Sequence, residues 1–382
     1  MPENPIFKKP FSPAENKALN HREKKDKKLI LDSSPVRISM NMTGKCNIRC
    51  VYCHLTYAKY FTKDELDVDS IEKLDDFLPN LSHLVYFSST EPLSATNFKE
   101  IFNKTAPHEA EKYLSTNALE MDEEIARMFV TNGLYYLTIS VAGLNHESFT
   151  KAHQVDQLDR LIENIKTLNR IKAELGSELP KCRLVFVTYK ENAHELTKAV
   201  EFAHEHNFSE GIKITYLKAY TDDLLDQIPF DHIDETNSHV HEAQKRGEEL
   251  GVSVTFDGGN FANFEDENNV QGYHRPCMEP FERFHVEANG KVRTCCATTN
   301  TVFAGDLNTQ TAWEIWNGEV FQDYRRRVNT ANPPESCKRC TNNFRKDFMR
   351  RDVWDQRDMD LGIYERFKEG KTLLKKRPQR SK

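Results

Sequence analysis

The chain has 382 residues, with 53 Lys and Arg against 59 Asp and Glu and a formal net charge of −6. It is too long for one ordinary domain and too acidic for a general nucleic-acid binder. Hydrophobic residues make up 38% and charged residues 29%, and the mean hydropathy of −0.70 comes with no apolar run near the roughly 18 residues that span a bilayer. The opening stretch, MPENPIFKKPFSPAENK, lacks the apolar segment of a secretory signal, so the expected location is the cytoplasm. Thiols stay reduced there, and nine cysteines point to metal binding or catalysis rather than to disulfides.

Residues 1–35 are polar and Lys-rich, carry Pro2, Pro5, Pro10 and Pro13, and are expected as a mobile arm or an irregular surface wrap. From Val36 the pattern alternates between strands and helices. Short β-branched and aromatic runs predict strands at 36–42, 83–89, 112–116, 135–142, 183–189 and 212–217. The clearest helix is 155–175, where Val155, Leu158, Leu161, Ile162, Ile165, Leu168, Ile171 and Leu175 are expected to share one face and Gly176 stands as a stop. Strands each followed by a helix imply parallel β/α units over 36–225, as either a partial barrel or an open doubly wound sheet. An acidic stretch with Pro229 marks a boundary, and 226–255 reads as a linker and a helix. A smaller unit follows over 256–345, with a hairpin turn at Asn289-Gly290, and then a charged tail over 346–382.

Two cysteine groups carry the chemistry. Cys46, Cys50 and Cys53 follow the first strand in the pattern Cys-x3-Cys-x2-Cys, on a loop opened by Thr43-Gly44-Lys45, with Tyr52 before the last cysteine. Three thiolates on one tight loop can hold three irons of a [4Fe–4S] cluster and leave the fourth iron open to another ligand. A zinc knuckle completed by His54 is the alternative, although zinc sites usually pair one Cys-x2-Cys with another. Farther on, Cys277 and Cys295 flank the expected hairpin, and Cys337-x2-Cys340 follows. By ligand number alone, these four fit either zinc or a fully ligated [4Fe–4S] cluster. Cys296 stands beside a ligand, where the roles of alternative ligand and hydrogen donor compete with plain packing, and Cys182 reads as core.

The first pattern, following strand one of a β/α series, resembles the radical S-adenosylmethionine (SAM) enzymes. The resemblance implies an α/β fold with a partial (β/α)6 barrel, and SAM chelated to the open iron through its amino and carboxylate groups. It also implies an electron donor such as flavodoxin or ferredoxin. One electron would cleave SAM to methionine and a 5′-deoxyadenosyl radical, which takes hydrogen from substrate. Further positions match one by one. Ser89-Thr90-Glu91-Pro92 resembles the family's Gly-Gly-Glu-Pro without the glycines, and implies Glu91 at the SAM ammonium with Thr90 offering backbone. Ser115-Thr116-Asn117 resembles Thr-Asn-Gly. Ile139-Ser140-Val141-Ala142-Gly143 resembles Ile-Ser-x-Asp-Gly, implying Ser140 at a ribose or carboxylate contact. His153, with Lys151 nearby, is the best match to the family's Arg at the SAM carboxylate, and Leu217 falls where an apolar residue packs on adenine.

The C-terminal pattern resembles the SPASM/twitch extension of the same enzymes. With no cysteine after Cys340, it resembles the shorter twitch form and implies one auxiliary [4Fe–4S] cluster on Cys277, Cys295, Cys337 and Cys340. The reaction expected is hydrogen abstraction from a small polar metabolite, as an oxidation using the auxiliary cluster or as a redox-neutral outcome. The alternatives are radical modification of a peptide or protein, and a non-catalytic iron–sulfur or metal-binding protein. Tyr57, Tyr60 and His54 are candidate substrate neighbours.

Overall fold

The computed structural model describes residues 11–53, 55–56, 61–87, 90–217, 222–227, 229–256, 277–295 and 302–338. The six expected strands form at Arg37–Asn41 (β1), His83–Phe87 (β2), Glu111–Thr116 (β3), Leu134–Val141 (β4), Lys181–Thr188 (β5) and Ile212–Tyr216 (β6). They pair side by side in chain order, all parallel. Helices Phe98–Thr105, Glu123–Thr131, Leu158–Glu174, Leu196–Glu205 and Ile233–Leu250 stand between or after them.

Strict alternation of burial decides the architecture. Along β5 every second residue is buried, and β3 and β4 follow nearly the same pattern. Ile38, Met40, Leu84, Leu137, Leu184 and Ile212 join one core with the apolar helix faces. The alternate residues, among them Tyr113, Thr138, Ser140 and Arg183, stay partly exposed on the opposite face. A doubly wound parallel sheet is covered on both sides and reads as continuous apolar runs. Here the helices pack on one face, and the alternate residues of β3–β5 leave the other face partly exposed.

The sheet is longer than expected at both ends. β7 (Val254–Phe256) pairs parallel with β6, so the expected boundary does not end the sheet. The C-terminal hairpin, β8 (Arg283–Val286) and β9 (Lys291–Arg293), also joins it. β8 lies parallel to β1 with Arg37 opposite Arg283, and β10 (Phe303–Asp306) pairs with β9. The described strands therefore form one sheet in the order β10-β9-β8-β1-β2-β3-β4-β5-β6-β7. Gly290 sits at the hairpin tip with φ 79°, a conformation open to glycine at little cost. Behind this end of the sheet, Phe284 stacks on Phe321 and packs edge-on against Phe77 and Trp316.

Over its described residues, 11–35, the N-terminal segment is not an irregular arm. Pro13–Lys25 is an α-helix that starts with a Ser12–Glu15 capping box and Pro at its first position. Its inward residues are polar: Asn16, Asn20 and Glu23 lie at helical spacing and are essentially buried. Each satisfies main chain that would otherwise be stranded. Asn16 donates to the carbonyls of Ser34, Pro35 and Asn80 and accepts from the Ser34 amide. Asn20 donates to Phe281 O, and Glu23 accepts from the amides of Asp32 and Ser33. No helix among the described residues is long and apolar enough to cross a membrane.

Candidate functional site

The three cysteines of the first group lie on the loop that leaves the C-terminal end of β1, which is the ligand-binding end of parallel β/α units. Neighbouring strand ends hold this loop in place. Thr90 Oγ1 donates to Thr43 O at 2.6 Å, and the Glu91 amide donates to Lys45 O at 3.1 Å. Asn117 Nδ2 donates to Asn47 Oδ1 at 2.7 Å. Arg49 Nη1 caps the carbonyls of Cys46 and Ile48 at 2.7 and 2.8 Å, and its guanidinium lies 3.9 Å from the centre of the Phe61 ring. Sequence reasoning passed over Arg49 and Asn47, whose only signal was their place between the cysteines.

All three thiols resist ionisation in the bare protein. Burial pushes Cys46 up to about 11 and Cys50 up to about 12, and Cys53 is raised for the same reason. Each of the first two is raised further by charge on a neighbouring cysteine of the loop. Such thiols are poor nucleophiles at neutral pH. A bound cation removes the penalty, because a coordinating thiol is deprotonated by its metal. Among the described residues no three His, Cys, Asp or Glu side chains converge as a single-ion site does. Three neighbouring thiols on one loop fit a cluster in which each sulfur binds a different iron.

Glu91 caps the short turn Pro92–Ser94 after β2 and is 2% exposed. Its carboxylate accepts from Thr116 Oγ1 at 2.6 Å, the Asn117 amide at 2.8 Å and the Leu93 amide at 3.1 Å. Burial outweighs these bonds and raises its pKa to about 7. A buried carboxylate with this preference for neutrality becomes a strong partner for an ammonium group brought to it. Of the expected Ser115-Thr116-Asn117, Thr116 and Asn117 both donate to Glu91. Ala118 takes φ 59°, the left-handed conformation that glycine adopts freely.

The raised Glu91 pKa predicts a pH effect on the protein without ligand. Between pH 4.5 and about 7 the folded state holds a proton that the unfolded chain has released. Stability therefore falls as pH rises through that window, by an amount of order 3 kcal/mol for one carboxyl. Glu91→Gln should flatten this slope and stabilise the protein at pH 8 relative to pH 5. Denaturant midpoints of both proteins at the two pH values check it, and equal slopes would contradict it.

At the ends of β4, β5 and β6, Ala142, Ala152, Tyr189, Leu217 and Leu224 form a second apolar cluster, against which Tyr52 packs. Leu217 thus belongs to an apolar cluster that also holds Tyr189, a residue the sequence did not single out. Ser140 stays half-buried on the open face of β4, beside Val185. Asn192 fixes this corner by donating to Ala142 O and Val187 O while accepting from the Tyr189 amide. Glu195 accepts from the Leu144 amide and Asn145 Nδ2, both at 2.7 Å. Gly143 is required where it stands, since a Cβ there would lie 2.5 Å from Phe149 N. Lys151 pairs with Glu191 at the surface.

His153 differs from expectation. Its ring is 2% exposed, and burial pulls its pKa down to about 4, so it is neutral. Nε2 accepts from the Ala142 amide at 3.1 Å, while Nδ1 lies 3.2 Å from Cys50 Sγ and 3.4 Å from Tyr52 Oη. With both nitrogens engaged and no positive charge, the ring is not built as a partner for the SAM carboxylate.

At the other end of the sheet, Cys277 and Cys337 pack against the main core, and Cys295 follows β9. Asn329, at φ 65°, clamps Cys277 by accepting from its amide at 2.7 Å and donating to its carbonyl at 2.9 Å. Cys340, Cys296, His54, Tyr57, Tyr60 and Ser89 lie outside the described residues. The described donors are all thiols, the set that suits an iron–sulfur cluster.

Residues 40–203 match the family model of the radical SAM superfamily. Residues 277–341 match that of an iron–sulfur cluster-binding domain, SPASM, so the match begins on Cys277 and runs one residue past Cys340. Among curated proteins, the chain is 22% identical over 312 residues to the AdoMet-dependent heme synthase of Methanosarcina barkeri, covering 78% of this chain and 86% of that protein. A Probable GTP 3',8-cyclase of Thermococcus kodakarensis is 26% identical over 130 residues, covering 34% of this chain and only 42% of the relative. Among solved structures, Streptococcus suis SuiB bound to precursor peptide SuiA superposes with a TM-score of 0.61 at 15% identity, covering 90% of this chain and 78% of that one. At that identity the likeness speaks for the fold.

Proposed function

We propose that this chain, a radical SAM protein with a C-terminal SPASM-type iron–sulfur domain, oxidises a small polar metabolite bound on the open face of its sheet. The observation that carries the reading is the joining of the cysteine loop, Glu91 and Asn117 at one strand-end edge, above a sheet face lined by polar side chains. Cys46, Cys50 and Cys53 would hold the first [4Fe–4S] cluster, and Cys277, Cys295, Cys337 and Cys340 the auxiliary one. When bound, these groups would supply a 5′-deoxyadenosyl radical for hydrogen abstraction and, at the auxiliary site, a one-electron sink.

The protein's own residues then have distinct tasks. Glu91 receives the SAM ammonium and loses its proton as that charge arrives. Leu217, Ala142 and Tyr189 offer an apolar bed for adenine beside Tyr52. Thr90 and Asn117 keep the cysteine loop in register with Glu91. On the open face Thr138, Ser140 and Arg183 orient substrate. Arg183 is steadied by Glu210 at 3.7 Å and by the Tyr136 ring at 5.5 Å. Fixed polar groups of this kind orient a hydroxylated substrate at low entropic cost. A small carrier such as flavodoxin or ferredoxin supplies the reducing electron.

Peptide modification is the second reading, supported by the likeness to the peptide-bound SuiB fold. Stimulation of 5′-deoxyadenosine formation separates the two. The small-molecule fraction of a cell extract, freed of peptides, should raise the rate in the reconstituted protein. A rise given only by the peptide fraction would replace the metabolite reading with the second.

A further inference from the structure

The end of helix His146–His153 grips the cysteine loop at one residue. The amide of Val51 donates to Ala152 O at 2.9 Å, and the amide of Arg49 donates to His153 O at 3.4 Å. Cys50 lies between those two amides, and the His153 ring reaches its sulfur. The same helix end thus holds Cys50 on both sides and at its tip.

The ring's tautomer follows from its partners. A main-chain amide can only donate, so Nε2, which faces the Ala142 amide at 3.1 Å, must be the bare acceptor nitrogen. The proton therefore sits on Nδ1. Of its two neighbours, Cys50 Sγ at 3.2 Å is close for a sulfur acceptor, whereas Tyr52 Oη at 3.4 Å is at the outer edge for oxygen. Phe149, with its ring centre 4.5 Å away, and Tyr52, edge-on at 5.9 Å, leave the imidazole little freedom to turn.

We propose that His153 is a positioning residue for the SAM-binding cluster, donating its Nδ1 proton to Cys50 Sγ and thereby raising the cluster's reduction potential. Hydrogen bonds to cluster sulfurs favour the more electron-rich reduced state. Partners behind the ligands both orient them and tune the metal. This inference rests on the cluster assignment, which the iron content and the reduced-cluster signal of the wild type test separately.

The test is a redox titration followed by electron paramagnetic resonance on the reconstituted holoprotein. His153→Phe keeps an aromatic ring without the donor, and His153→Gln keeps an N–H within reach of sulfur. The Phe variant should be about tenfold harder to reduce, a shift of ~59 mV to lower potential for one electron. The Gln variant should stay near wild type. Equal potentials in all three proteins would overturn the proposal, as would equal shifts in both variants, because packing rather than the donor would then be responsible. Should the Phe variant fail to load iron, wild type grown on 15N-histidine decides. A nitrogen coupling to the reduced cluster that disappears in His153→Gln is expected, and its absence from the wild type overturns the proposal.

Discussion

Cys50→Ala is expected to end SAM cleavage while leaving the fold standing. The loop around Cys50 is held mainly by main chain: Val51 and Arg49 bond to the helix end, and the Cys50 carbonyl accepts from Thr56 Oγ1 at 3.0 Å and the Cys53 amide at 3.1 Å. None of these bonds needs the sulfur. His153 Nδ1 retains Tyr52 Oη as a partner, so losing one sulfur atom should cost only about 1 kcal/mol. On the proposed assignment, losing one of three thiolates would remove the group that delivers the electron. The 5′-deoxyadenosine rate should drop below about a thousandth of wild type, a barrier increase of ~4 kcal/mol. Chromatographic quantification of 5′-deoxyadenosine, with iron content and circular dichroism on the same samples, checks both halves. Wild-type yield from the variant would contradict the assignment of this loop.

Arg325→Ala is expected to produce the largest stability loss outside the cysteine loops. Arg325 is 4% exposed, with its guanidinium 4.3 Å from the centre of the Trp316 ring and 5.2 Å from that of Phe321. Nε donates to Pro280 O at 2.9 Å, and Nη1 donates to Leu29 O at 2.7 Å and Asn317 Oδ1 at 3.1 Å. One side chain therefore ties the N-terminal segment to the C-terminal part of the sheet, where Asn317 and Trp316 also bond Leu31 and Ser33. Burial pulls its pKa down to about 9, opposed by the charge of Glu23, so it stays cationic near neutrality. Alanine strands the buried Pro280 carbonyl and the part-buried Leu29 carbonyl and removes the ring contact, for a loss of about 3–5 kcal/mol. Arg325→Lys should recover only part, since an ammonium cannot reproduce the planar stack or the fork of donors. Denaturant unfolding checks the size, and proteolysis of residues 11–35 checks the place. A loss below about 1 kcal/mol would show that the clamp is not needed.

Much of this fold is legible locally. Strands β3, β4 and β5 alternate inward and outward with period two or nearly so, and each of the six β/α strands stands within two residues of its expected ends. The hairpin announces itself by Asn289-Gly290, and the cluster loops by cysteine spacing. What escapes is whatever depends on distant partners. The N-terminal helix carries Asn16, Asn20 and Glu23 on its buried face, so a search for apolar periodicity finds nothing there; its groups exist to bond main chain from residues 32–35, 80 and 281. The pairing of β8 with β1 leaves no local trace either, because its partners are 246 positions apart in sequence. At the site, Glu91 was readable from Glu-Pro at a strand end. Asn192 and Glu195 were not, since a polar residue in a short turn looks the same whether it faces solvent or a buried carbonyl. The likeness places His153 at a carboxylate; its buried contacts with Cys50, Tyr52 and the Ala142 amide have no counterpart in the motif.

The most direct test of the central claim is SAM cleavage by the wild-type protein. Reconstituted without oxygen with iron and sulfide, then given SAM and a low-potential reductant, the protein should form 5′-deoxyadenosine and methionine in equal amounts, slowly alone and faster with the small-molecule fraction of a cell extract. No 5′-deoxyadenosine under any of these conditions, with both clusters confirmed by iron analysis and spectroscopy, would contradict the claim that the cysteine loop and Glu91 form a working SAM site.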